Sequence, residues 1–115
     1  LAGGIAGVLA RYLVSLAAFG LAGGWLPWGT LVVNLSGCLL IGFVDAAATK
    51  RGFGGPNGRM LLMTGFCGAY TTFSALILEL DALLRAAPLR GSAYVLISVA
   101  AGLALFRAGA LLGAR

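Results

Sequence analysis

The sequence predicts an all-α membrane protein of four transmembrane helices, the third of them interrupted. Three observations lead there. Of 115 residues, 61% are hydrophobic and only 10% are charged, and the mean hydropathy is +1.04. A soluble domain carries about 25% charged residues, so too little charge is present to cover a globular surface. Next, four apolar stretches occupy nearly the whole chain, each close to the roughly 20 residues that a helix needs to cross a bilayer. Last, the stretch GFCGAYTTFS at residues 65–74 breaks an otherwise helical apolar run. Residues 1–115 therefore read as a single domain with no soluble enzyme appended.

Taken in order, helix 1 is expected over residues 2–22, and a Gly- and Trp-rich turn follows at 23–28. Helix 2 is expected over 29–48. The most polar stretch, TKRGFGGPNGR at 49–59, reads as a connector. Helix 3 is expected over 60–84, with its break near Gly68–Thr72. Gly65 and Gly68 weaken a helix at about 1 kcal/mol each relative to alanine. Thr71, Thr72 and Ser74 compete for backbone hydrogen bonds. A break of this kind is tolerated in a membrane only where it is buried in protein or lines a wet cavity, and ion sites are built at such breaks. Arg85, Pro88 and Arg90 mark the next turn, and helix 4 is expected over 92–112. Trp25 and Trp28 fall where an interfacial aromatic belt belongs. The nineteen glycines fit close helix packing in lipid.

Polar residues recur on three helices. Gly3, Gly7, Arg11 and Ser15 lie at intervals of four, on one face of helix 1. Arg11 is near mid-span without an acidic neighbour in its helix, so it either faces protein or water or snorkels to the interface. Asn34, Cys38 and Gly42 share a face of helix 2. The Asn34 amide either bonds a neighbouring helix or lines an anion path. Tyr94, Ser98 and Gly102 share a face of helix 4, as a hydroxyl track toward an ion or as packing contacts. Asp81 and Arg85 are spaced for an i,i+4 pair; Glu79, Asp81 and Asp45 are read as interfacial.

Several functions are disfavoured. The net charge is +5, but the basic residues are scattered at helix ends, which is not a nucleic-acid pattern. Cys38 and Cys67 lie in different helices with no histidine in the chain, so they read as two small buried residues. No pair of acids shares a pocket-like face, which argues against an enzyme. The chain starts at Leu1, so its natural start is expected upstream, and no cleavable leader is expected.

Four stretches, one per helix, resemble the fluoride channel family, Fluc, also called CrcB. They are GGIAGVLARY at 3–12 with Arg11, GTLVVNLSG at 29–37 with Asn34, GFCGAYTTFS at 65–74, and Tyr94 with Ser98. The resemblance implies passive fluoride export through two narrow pores in an antiparallel dimer. It implies a fluoride path along Arg11, Asn34, Thr72, Phe73, Ser74, Tyr94 and Ser98. It also implies a structural sodium ion at the dimer centre, held by the backbone carbonyls of Gly68 and Thr71. Phe73 matches a phenylalanine whose positive ring edge faces fluoride. Leu76 stands where the family has a second phenylalanine, and Gly102 where some members carry a hydroxyl. These departures point to one degraded pore or to a paired homologous subunit.

Two other readings are weighed against this one. A small multidrug-resistance-type proton-coupled exporter needs a membrane-embedded glutamate in helix 1, where this chain has Arg11 instead. A non-transporting scaffold leaves the break and the aligned hydroxyls unexplained. By the bias of Lys and Arg toward the cytoplasm, both termini are expected there, in a multi-pass plasma-membrane protein.

Overall fold

A computed structural model describes residues 1–22, 25–52 and 54–115. Helix α1 spans Ala2–Ala22 and α2 spans Trp28–Arg51. The third span is composite. It comprises α3 (Gly55–Arg59), a π-helical stretch (Met60–Cys67), α4 (Gly68–Tyr70) and α5 (Phe73–Ala86). Helix α6 spans Pro88–Gly113. No strand occurs among the described residues. Four segments are long and apolar enough to cross a membrane: Ala2–Gly20, Trp28–Arg51, Gly55–Ala86 and Pro88–Gly113.

The helix ends differ from the sequence expectation in a consistent way: the connectors shrink. Helix α2 continues to Arg51 and stops at Gly52, which takes a left-handed conformation (φ 62°, ψ 27°) and donates its N–H to the Ala48 carbonyl. That ending suits glycine, which has no Cβ penalty there. Gly54 also has positive φ, 70°, and Pro56 sits in the first turn of α3, where a missing N–H costs nothing. The expected loop at 49–59 thus lends residues to helices on both sides; Phe53 lies outside the described residues. Of the turn expected at 23–28, Gly23 and Gly24 lie outside the described residues, and Trp28 already belongs to α2. Between α5 and α6 only Ala87 is non-helical (φ −152°, ψ 85°), and Pro88 opens α6. Trp25 is exposed. The Arg90 guanidinium lies 6.0 Å from the centre of its ring and donates to its carbonyl at 3.2 Å. The predicted Asp81–Arg85 pair forms at 3.0 Å. Asp45 pairs with Arg59 at 2.7 Å, tying α2 to α3.

Glycines set how closely the spans approach. Helices α2 and α6 run parallel, as Gly109 and Gly113 meet Leu39 and Phe43 in the same order. A Cβ added at Gly109 would land on the Leu39 carbonyl, at Gly113 on that of Phe43, and at Gly42 on that of Phe106. Small residues four apart permit this approach in lipid. Helix α1 packs in the same manner on the first half of the third span. A Cβ at Gly3 would meet the Leu61 carbonyl, and one at Gly7 the Phe66 carbonyl.

These contacts make a prediction. Overpacking a core costs about 1–3 kcal/mol, and Gly109→Leu is expected at or above that upper end because backbone blocks the way. Gly20→Leu, where nothing lies within 4 Å, is expected to be neutral. Thermal unfolding of the two variants in detergent checks this, and equal melting points would refute the packing account.

Candidate functional site: a broken span clamped by an asparagine

The break falls midway along the third span, at two threonines. Thr71 (φ −82°, ψ 161°) and Thr72 (φ −151°, ψ 116°) are extended. Gly68 keeps helical angles (φ −63°, ψ −38°), so within the expected break at Gly68–Thr72 it is the threonine end that leaves the helix. The threonine hydroxyls take over the backbone's bonding. Thr71 Oγ1 donates to the Cys67 carbonyl at 2.8 Å. Thr72 Oγ1 accepts from the Ala75 N–H at 3.2 Å and so caps α5.

Asn34 holds the break open. Its Oδ1 accepts from the Thr72 N–H at 2.8 Å, and its Nδ2 donates to the Thr72 carbonyl at 3.0 Å. One side-chain amide thus satisfies both backbone groups of one residue, as a neighbouring strand would. In a continuous helix the Thr72 N–H would bond the Gly68 carbonyl, and the Ala75 N–H that of Thr71. Both donors are diverted, one to Asn34 and one to the Thr72 hydroxyl. The carbonyls of Gly68 and Thr71 are therefore released from the helical ladder. Carbonyl oxygen suits a hard cation, and the C-terminal end of α4 adds partial negative charge. No cluster of three or more His, Cys, Asp or Glu that could hold a metal exists among the described residues. A cation held at the break would rest on these backbone oxygens.

Cavities flank the clamp. One, of about 280 Å³, is lined by Asn34, Thr71, Thr72, Phe73 and Leu76. Another, of about 450 Å³, is lined by Arg11, Ser15, Thr30 and Thr72. Arg11 and Ser15 thus share a face, as their spacing predicted. Among the described residues no carboxylate lies within ion-pair distance of Arg11. Phe73 is 74% exposed on the subunit, and Ser74 beside it is exposed, with its Oγ 3.4 Å from Thr72 Oγ1. Ser98 Oγ is buried with no hydrogen-bond partner.

Tyr94 is placed differently from an ion contact. It is fully buried, at 0% exposure, and its O–H donates to Glu79 Oε2 at 3.1 Å. The other Glu79 oxygen accepts from Thr30 Oγ1 at 2.7 Å. Glu79 is therefore turned inward rather than interfacial. It joins α2, α5 and α6, and with Thr30 it lines a third cavity, of about 630 Å³. Sequence reasoning missed Glu79 and Thr30 as site residues. Thr30, one turn before Asn34, was the available signal.

Fold and site together define a multi-pass membrane protein whose third span opens at membrane depth to present polar groups. The profile of the family described as "CrcB-like protein, Camphor Resistance (CrcB)" matches residues 1–110. The chain is 46% identical over 112 residues to a protein of Chlorobaculum tepidum named fluoride-specific ion channel FluC, covering 96% of this chain and 88% of that one. A protein of the same name from Rhizobium meliloti is 44% identical over 115 residues, covering 93% and 92%. One from Synechocystis is 40% identical over 114 residues, covering 98% and 88%. The chain belongs to the CrcB family.

Proposed function

We propose that the protein is a fluoride-selective channel that exports fluoride passively across the cell membrane and carries out no enzymatic reaction. The printed names of its relatives support this reading. Within the chain, the observation that carries it is the polar face at the break. Thr72 and Ser74 hydroxyls, the Phe73 ring and an uncompensated Arg11 stand at membrane depth, where polar groups unconnected to function are costly. Fluoride is small and strongly hydrated. A narrow path must replace its water with close donors, and hydroxyls, an amide N–H and a ring edge do so without trapping the ion. In this reading the ion passes Arg11, Asn34, Thr72, Phe73, Ser74 and Ser98, while Tyr94 and Glu79 brace the wall. The test is fluoride efflux from liposomes holding the purified chain, with chloride as control. Fluoride should leave without a proton gradient and chloride should not; equal rates for the two anions would sink the reading.

The reading extends to an antiparallel dimer, formed with itself or with a paired homologous subunit, around a structural sodium ion on the Gly68 and Thr71 carbonyls. Gly68 is exposed, and a Cβ there would meet only the Met63 carbonyl, at 3.8 Å. The subunit has room for a side chain at Gly68, whereas a close approach between two subunits has none. Gly68→Val is therefore expected to leave the subunit helical but to shift it from dimer to monomer. Light scattering in detergent checks this, and an unchanged dimer would remove the break from the subunit contact. Lys50 Nζ bonds the Ala114 carbonyl, which puts the end of α2 beside the C-terminus. That side holds Lys50, Arg51, Arg59, Arg107 and Arg115, against Arg85 and Arg90 opposite. That bias supports a cytoplasmic location for both termini.

A further inference from the structure

Two hydroxyls meet just ahead of the break. Tyr70 is the last residue of α4 and Ser36 lies on α2, 34 positions away in sequence, yet Tyr70 Oη stands 2.7 Å from Ser36 Oγ. Ser36 commits its only proton to the Val32 carbonyl, at 2.7 Å, so Tyr70 donates and Ser36 accepts. Tyr70 is 7% exposed. Its ring stacks on Phe66, with centroids 5.7 Å apart, and a Cβ added at Gly7 of α1 would lie 3.0 Å from its backbone nitrogen. Helix α4 is only Gly-Ala-Tyr, so the Tyr70 hydroxyl is its one side-chain group able to form a hydrogen bond. Beyond Thr71, the Asn34 amide holds Thr72. A Cβ added at Gly37 would land on the Thr71 methyl group. Helix α2 thus grips the residue before Thr71, the residue after it, and the Thr71 side chain itself.

We propose that Ser36 and Tyr70 position the Gly68 and Thr71 carbonyls for a hard monovalent cation, and so set how tightly the break holds it. This rests on the reading of those two carbonyls as the ligands. A backbone oxygen is aimed by its peptide plane. The Thr71 carbonyl shares its plane with the Thr72 N–H, which Asn34 holds at 2.8 Å. That single bond leaves the plane free to pivot unless the chain entering it is fixed as well, and Tyr70 is the residue at which it enters. The Gly68 carbonyl belongs to α4 and moves with it. The Tyr70 hydroxyl therefore acts on both ligands through a three-residue helix, without touching the ion. Both hydroxyls are neutral, so the anchor adds no charge beside an anion path.

The experiment melts the purified chain in detergent, at one protein concentration, after dialysis into N-methylglucamine chloride. Sodium chloride is then substituted stepwise at constant ionic strength. The melting temperature of the unaltered chain should rise with sodium, as it does for any ligand of the folded state. Tyr70→Phe keeps the ring and removes the donor; Ser36→Ala removes the acceptor. In each, the rise should set in at about 3- to 10-fold more sodium, the contribution of one neutral hydrogen bond expressed as a binding ratio. The double variant should shift no further than the single ones, because the pair is lost only once. A melting temperature lowered equally at every sodium concentration, with an unchanged onset, would make the pair a packing contact only and overturn the proposal. So would a double variant whose shift is the product of the two single shifts. An unaltered chain that ignores sodium would overturn the cation reading itself, and the proposal with it.

Discussion

Phe73→Ile is expected to slow fluoride efflux about 100-fold or more, a loss of roughly 2.7 kcal/mol of ion stabilisation, while the subunit stays folded. The fold is spared because Phe73 is 74% exposed on the subunit and belongs to no core cluster. Isoleucine keeps apolar bulk there. What it lacks is the ring edge, whose partial positive charge can face an anion without binding it tightly. Leu76 lines the same cavity and packs against the Leu26, Leu31 and Tyr94 cluster. Leu76→Phe would restore a second ring, at a packing cost of about 1–3 kcal/mol at most, and is expected to be tolerated. Efflux from liposomes together with the helical circular dichroism signal in detergent decides the matter. Normal efflux from Phe73→Ile would show that the ring edge has no part in transport.

Asn34→Leu is expected to lower both stability and transport. Its two hydrogen bonds to Thr72 would go, leaving one half-buried N–H and one half-buried carbonyl unpaired. A fully buried group left so costs about 1–3 kcal/mol, so for these two half-buried groups roughly 1–3 kcal/mol in all is at stake. Efflux should be lost as well, because the released carbonyl of Gly68 depends on Asn34 holding the Thr72 N–H. Asn34→Asp separates the two effects. It retains the acceptor for that N–H but loses the donor to the carbonyl, and it sets a negative charge in the path of an anion. It should be more stable than Asn34→Leu yet equally inactive. A melting temperature for Asn34→Leu matching the unaltered chain would mean that the clamp contributes nothing to the fold.

Much of the site was legible in the sequence. The spacing of Arg11 and Ser15 put them on one face, and the two residues line one cavity. The run of Thr71, Thr72 and Ser74 marked the break, because hydroxyl residues offer the backbone bonds outside the helix. The glycines are not where it opens. Gly65 and Gly68 have a low helix propensity, yet in lipid an unpaired backbone group costs more than a glycine, so both stay helical. Helix ends were short for a related reason. Basic and polar residues such as Lys50 and Arg51 read as loop, but at a membrane surface they extend the helix whose carbonyl end they face.

Composition and the order of apolar runs determined by themselves that the chain crosses a membrane four times with a broken third span, because transfer into lipid depends on local sequence alone. Only the tertiary structure decided what each polar residue bonds to. Asn34 meets Thr72, 38 residues away. Thr30 and Tyr94 meet on Glu79. Those partners are set by which helices pack in parallel and how closely their glycines let them approach. Helical periodicity places a residue on a face of its own helix but carries no information about the helix opposite.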